Sequence, residues 1–298
     1  MPTPTAPMHG KTVLITGASN GIGLATAYAL AGAGADLVLL CRDVRRGAAA
    51  RDQIARTLNS GHVPGLVVAD LESQKQIRHV AEDIQSRYGH LDVLVNNAGN
   101  VFSKRELTED GIERTFALNH LAPFLLTNLL LDLVKAAPQG RIVNVSSEIH
   151  AGKLDWDNLQ SEKHHQFFKA YQATKTENIL FTNELARRVA GTPVTVNAVS
   201  PGPSRTGFGK DLTGTWTLFP KVMKAMPMFH SAEKGSRVVV YAAAEPTLGT
   251  ASGQFFMNSK PRKSKPITHS HEAAARLWQL SERLTHLSAT TGRSVIHP

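Results

Sequence analysis

With 298 residues, 42% hydrophobic and 19% charged, the chain has the composition of a globular protein of one large or two small domains, not of a disordered or fibrous one. Its single cysteine, Cys41, excludes an internal disulfide framework and suits a reducing, cytoplasmic setting, and no run approaches the ~18 consecutive apolar residues of a membrane span. The net charge of +9 raises the question of nucleic acid or an anionic membrane. The basic residues are scattered, however, with small groups only at Arg42/Arg45/Arg46 and at Lys260 to Lys265, which reads as a solvated loop. We therefore expect no nucleic-acid partner and no stable membrane anchor.

Met1 to Gly10 is Pro/Thr-rich and lacks the apolar core of a signal peptide, so it is expected to be a short disordered lead-in. Thr12–Thr16 reads as a strand and ends in Gly17-Ala18-Ser19-Asn20-Gly21-Ile22-Gly23, followed by an Ala-rich helix to about Ala33. Strand, glycine turn and helix together form the context of a phosphate site, where backbone amides and a helix N-terminus meet an anion. A plain strand–helix turn would look the same in isolation. Leu37 to Cys41 is a second strand, followed at once by Arg42 and Asp43. An acid at this place binds a ribose 2′-hydroxyl, whereas an arginine accommodates a 2′-phosphate. Neutral Cys41 with Arg42, Arg45 and Arg46 favours NADP over NAD. The other reading makes these arginines the solvated start of a helix, Val44 to Leu58.

Gly65 to Ala69 is expected to be a third strand ending at Asp70, Ser73 to Tyr88 a helix, and Leu91 to Val95 a fourth strand leading into Asn96-Asn97-Ala98-Gly99. This alternation implies a parallel, doubly wound α/β sheet with helices on both faces. Ligands of such sheets sit beyond the carboxyl ends of the strands, where Gly17, Asp70 and Asn97 fall. Glu109 to Val134 reads as one long helix, and Asn119 with Pro123 four residues on predicts a kink that denies the Asn119 carbonyl its amide partner.

Arg141 to Val145 is the fifth strand and ends in Ser146-Ser147. Tyr171 and Lys175 then stand at i and i+4 on one face of a helix continued by Phe181, Leu185 and Val189. A phenol beside an ammonium is pulled below its usual value of ~10 and can exchange a proton with an alkoxide near neutral pH. Such pairs also decorate solvated helices, so the surrounding segments must decide. Thr195 to Ser200 is the sixth strand, ending at Pro201-Gly202 and reaching Thr206. Residues 207–230 are apolar without one period: a candidate substrate lid, or else a helix packed on the core. A helix from Ala232 to Ala244, a strand near Gln254 to Met257 and a helix from Ser270 to about Leu287 complete a single domain spanning 11–290, with a tail at 291–298. No histidine pair has metal-ligand spacing, and His164-His165 reads as loop.

Taken in order, the Gly17–Gly23 loop, Asn96-Asn97-Ala98-Gly99, Tyr171 with Lys175, and Pro201-Gly202 resemble the motifs of the short-chain dehydrogenase/reductase family. Cys41-Arg42-Asp43, Asn119 to Phe124, the long stretch between Ser147 and Tyr171, and Leu277-Trp278 to Ser281 are similar to its retinol-dehydrogenase-like branch. The resemblance implies a single-domain Rossmann-type fold and an NADP-dependent oxidoreductase that interconverts a hydrophobic alcohol and its aldehyde or ketone. The alternative is a catalytically weak NADP-binding regulator of the same fold. The resemblance implies that Tyr171 is the general acid/base and that Lys175 lowers its pKa and holds the nicotinamide ribose. Ser147 would bond the substrate oxygen, and Asn119 would seat a relay water. For the cofactor it implies Gly17, Ser19, Asn20, Gly21, Ile22 and Gly23 at the pyrophosphate, and Arg42 at the 2′-phosphate. Asp70 and Leu71 would meet the adenine, Asn97, Ala98 and Gly99 would line the central cleft, and Pro201, Gly202 and Thr206 would flank the nicotinamide. No metal is implied, and a homo-oligomer is compatible with the family. Thr174 stands where the family has serine, and Pro203-Ser204 departs from its usual apolar pair.

Overall fold

The computed structural model describes residues 7–58, 63–204 and 229–287. Among these, the strands are β1 (Thr12–Thr16), β2 (Asp36–Cys41), β3 (Gly65–Val68), β4 (Val93–Asn96), β5 (Arg141–Val145), β6 (Thr195–Ser200), β7 (Phe255–Met257) and β8 (Lys260–Pro261). They form one sheet in the order β3-β2-β1-β4-β5-β6-β7-β8. All neighbours are parallel except β8, which turns back antiparallel on β7. The helices are α1 (Gly21–Gly32), α2 (Val44–Leu58), α3 (Gln74–Arg87), α4 (Arg114–Phe116), α5 (Ala122–Lys135), α6 (Phe167–Arg188), α7 (Ala232–Ala244) and α8 (His271–Thr285).

Alternation along each strand sorts the core to both faces. Leu14, Val38, Leu40, Leu94, Ile142 and Val196 point to one side and pack on α3, α5 and α6. Val13, Ile15, Leu37, Leu39, Val95 and Val143 point to the other and pack on α1 and α7. Each large side chain fully buried this way contributes about 1.5–3 kcal/mol. The stretch Arg114–Lys135 is long and apolar enough to cross a membrane by length and composition, although the sequence offered no unbroken apolar run. Its residues Phe124, Leu125, Leu126, Leu130 and Val134 instead belong to the core under the sheet.

The chain leaves the β3 edge and returns as β4 on the far side of β1. The direction of winding reverses there, which opens a crevice at the carboxyl ends of β1 and β4. A buried polar ladder crosses the sheet just behind it. Asn96 on β4 donates to Thr127 of α5 and to Asn144 on β5, at 2.8 Å each, and Asn144 donates to Thr182 of α6 at 2.9 Å.

Three sequence expectations are corrected, and a fourth, the kink, is made specific. The long helix starts at Arg114, not Glu109. Gly111 is in the left-handed region (φ +74°), Thr108–Ile112 closes a turn, and the Glu113 carboxylate caps the amides of Thr115 and Phe116. The kink at Asn119 takes the form of a π-helical turn over Ala117–Leu121. The lead-in does not extend to Gly10, because Met8 is buried and its amide donates to the Ala33 carbonyl. The Lys260–Lys265 stretch is not all loop, since Lys260 and Pro261 pair with Met257 and Phe256 at the sheet edge.

Candidate active site

The glycine turn after β1 is a cradle without side chains. Gly17 and Gly21 have φ of +67° and +54°, open to glycine at little cost. A Cβ on Gly23 would lie 2.4 Å from the Gly17 carbonyl oxygen. Asn20 precedes α1 and makes no side-chain cap, so the first amides of the helix remain for an anion. Ser19 turns to the Cys41 thiol, which burial pushes up to about 11. Ile22 is half-buried at the start of α1.

Asn97 holds this loop from the neighbouring strand. Its side-chain amide donates to the carbonyls of Thr16 (2.8 Å) and Gly17 (3.3 Å), and the amides of Asn97 and Ala98 both reach the Thr16 hydroxyl. The expected cleft-lining asparagine thus spends its side chain bracing the cradle. Gly99 brings backbone against two further residues, because a Cβ there would stand 3.1 Å from Asn119 Oδ1 and 3.6 Å from Lys175 Nζ.

Lys175 is buried and donates to the Val145 carbonyl at 2.9 Å. Its ammonium lies 5.5 Å from the centre of the Tyr171 ring. The Tyr171 hydroxyl is hydrogen-bonded to Ser147. Burial pushes the phenol above its ordinary value, opposed by that bond, while burial lowers Lys175 to about 8. This corrects the expectation from spacing alone: the i, i+4 pair shares a face, but the ammonium is tethered to β5 and desolvation governs the phenol. Ser147 Oγ also accepts the Ile149 amide at 3.3 Å, and the preceding Ser146 donates to the Lys175 carbonyl at 2.6 Å, which locks the end of β5 to α6.

Asn119 is 1% exposed and fully engaged. Its carbonyl oxygen accepts the Asn100 amide (2.8 Å), and its amide donates to the Asn100 carbonyl (2.9 Å) and to Thr174 Oγ1 (3.1 Å). Thr174 donates in turn to the Tyr171 carbonyl at 2.8 Å. Thr174 thereby joins the π-helical turn to the helix that carries Tyr171, a link that local sequence pattern could not reveal.

At the other end of the crevice, Arg42 is half-exposed and donates to Glu72 at 3.3 Å; Glu72 is gripped by Arg114 at 2.6 Å. Asp43 accepts the Arg46 amide and is held below the usual carboxylate range by it. Asp70 accepts the Glu72 amide, while Leu71 has its side chain in the core. Gly202 (φ +75°) follows β6 beside His230, whose ring meets Ser204 at 3.2 Å. Thr206 and residues 207–228 of the expected lid lie outside the described residues; Phe229 and His230 are its described end.

A glycine cradle at the switch point of a parallel sheet, with a serine, tyrosine and lysine gathered beside it, defines a nucleotide-dependent oxidoreductase of the α/β type. Residues 11–216 match the short chain dehydrogenase family. Human retinol dehydrogenase 13 is 40% identical over 97% of this chain and 88% of its own length, and human retinol dehydrogenase 14 is 39% identical over 94% and 88%. A crystal structure of an uncharacterised protein from Mycobacterium paratuberculosis is 31% identical, with a TM-score of 0.74 over 93% of this chain and 94% of that one. The chain belongs to the short-chain dehydrogenase family, in its retinol-dehydrogenase-like branch. It is an alcohol–carbonyl oxidoreductase whose fold binds a nicotinamide cofactor.

Proposed function

We propose that the chain is an NADP-dependent enzyme that interconverts a hydrophobic alcohol with its aldehyde or ketone, with Tyr171 as general acid/base. The observation that carries this reading is the convergence of Ser147, Tyr171, Lys175 and Asn119 beside the cradle. The cradle, the uncapped α1 N-terminus and the Lys175 ammonium fit a dinucleotide. When bound, the cofactor supplies or accepts the hydride. Ser147 and Tyr171 then offer hydroxyls where the substrate oxygen gains charge. Burial keeps the phenol protonated at neutral pH, the form that donates in carbonyl reduction. Lys175 holds a positive charge near the phenol. Asn119 acts through its backbone carbonyl, because its side chain is committed and Pro123 lacks the amide an α-helix would aim at it.

Arg42, Arg45 and Arg46 at the end of β2 support NADP, while Asp43 is spent on its own helix. An apolar substrate fits Ile149 and Phe168, exposed apolar side chains that flank Ser147 and Tyr171 in sequence. The relatives are named for retinol, so retinal leads the list of substrates to try. A cytoplasmic location and a homo-oligomeric state are further parts of the proposal, the first supported by the single buried thiol.

The test is oxidation of NADPH and NADH with retinal, long-chain aldehydes, steroid ketones and quinones. NADPH turnover should fall by about 10²–10⁴-fold in Tyr171→Phe, with cofactor affinity retained. Full turnover by that variant would sink the mechanism.

A further inference from the structure

We propose that His150 is a positioning residue for Ser147, clamping the serine's backbone to the segment that follows β8. The proposal rests on the oxidoreductase reading above. His150 is 5% exposed and stands three residues beyond Ser147. Its Nδ1 lies 2.8 Å from the Ser147 carbonyl oxygen, which can only accept, so Nδ1 carries the hydrogen. Its Nε2 lies 2.9 Å from the Lys265 amide, which can only donate, so Nε2 is the acceptor. The two contacts together select one neutral tautomer. Burial and the Lys265 ammonium both act to keep the ring uncharged. Its ring also packs T-shaped against Phe255, with centroids 5.5 Å apart.

The far side of the clamp is itself anchored. Lys265 leads into a 3₁₀ turn at Pro266–His269, and Asn183 of α6 donates to the Thr268 carbonyl there at 2.7 Å. The same helix carries Tyr171 and Lys175. Ser147 is thus held through Ser146 on one side and through His150 on the other, both leading to α6. Holding the Ser147 carbonyl restrains the backbone from which its side chain springs, while the bond to Tyr171 directs the hydroxyl. A displacement of ~1 Å in such a group can cost ~10²-fold in rate.

The experiment compares His150→Leu, which removes both bonds, with His150→Gln, whose amide can donate to Ser147 and accept from Lys265. NADPH-dependent reduction of retinal or a long-chain aldehyde gives kcat and KM, and NADPH fluorescence gives cofactor affinity. The leucine variant should lose at least ~10-fold in kcat with the NADPH dissociation constant within about twofold, and the glutamine variant should recover part of the loss. Equal turnover in the leucine variant, a glutamine variant no better than leucine, or a rate loss matched by lost NADPH affinity would each overturn the assignment. If the leucine variant does not fold, ¹⁵N NMR of the imidazole in the parent protein decides: Nδ1 protonation supports the clamp and Nε2 protonation refutes it. A parent that binds NADPH but reduces none of the retinal, aldehydes, steroid ketones and quinones would overturn the oxidoreductase reading and with it this role. An active parent beside an equally active leucine variant overturns the clamp alone.

Discussion

Replacing Lys175 with methionine is expected to abolish turnover and yet stabilise the fold. Lys175 is 5% exposed, and burial is what acts on its titration, bringing it from 10.5 to about 8. At about 1.4 kcal/mol per pH unit, the charged form carries roughly 3 kcal/mol of destabilisation at pH 7. Methionine forfeits the hydrogen bond to Val145, which amine and ammonium both can make and which therefore lies outside that titration difference, at a cost of about 2 kcal/mol. Its loss does not orphan the carbonyl, because Asn178 also reaches it at 3.5 Å. Lys175→Met should therefore gain about 1 kcal/mol at neutral pH. Between pH 8 and 10.5 the unfolded chain holds the lysine proton and the folded chain does not, so the stability of the parent rises with pH across that window. The advantage of the variant should shrink accordingly. Urea unfolding of both proteins at pH 7, 8, 9 and 10 measures it. A methionine variant less stable than the parent at pH 7, or an advantage that does not change with pH, would refute the reasoning.

Three further perturbations follow from the geometry. Gly23→Ala places a Cβ 2.4 Å from the Gly17 carbonyl and from the Asn97 amide; because this backbone cannot yield cheaply, stability should fall by about 1–3 kcal/mol and NADPH affinity more than tenfold, read by melting and fluorescence titration. Arg42→Ala should weaken NADPH about tenfold, or ~1.4 kcal/mol, and NADH less than twofold; equal weakening of both would assign Arg42 to its Glu72 pairing alone. Glu177 is buried with both carboxyl oxygens unpartnered, and burial with the Glu113 charge raises its pKa well above the ordinary value. The fold holds its proton to higher pH than the unfolded chain, which releases it near ~4.3, so the parent should lose stability as the pH rises above that value and Glu177→Gln should not; matching slopes in urea titrations would disprove it.

The parts of this protein that sequence could disclose are those written in local pattern. β1 with its glycines, the β-branched strands, and Tyr171 four residues before Lys175 on α6 all follow from spacing. What escaped depends on contacts distant in sequence. Thr174 meets Asn119 across 55 positions and His150 meets Lys265 across 115, so no window contains either pair. The start of α4 was misplaced because Glu113, which reads as an ordinary helical residue, turns its carboxylate back to cap the helix. β8 has two residues, too few for a period. The Tyr171–Lys175 spacing correctly places two side chains on one face, but it cannot say that the lysine tip reaches for Val145.

The Asn96–Asn144–Thr182 ladder also bears on how the chain assembles. Strands β4 and β5 are short, parallel and rich in valine, isoleucine and leucine, so burying them fixes their neighbours only loosely. Asn96 and Asn144 stand opposite one another in the native alignment. Sliding either strand by one residue turns its amide to the opposite face of the sheet, away from Thr127 and Thr182 and among hydrocarbon. Each stranded amide then costs on the order of 1–3 kcal/mol. The ladder thus serves as a key cut into an otherwise featureless pair of strands, and its removal should be felt first as mispaired, aggregating chains during refolding.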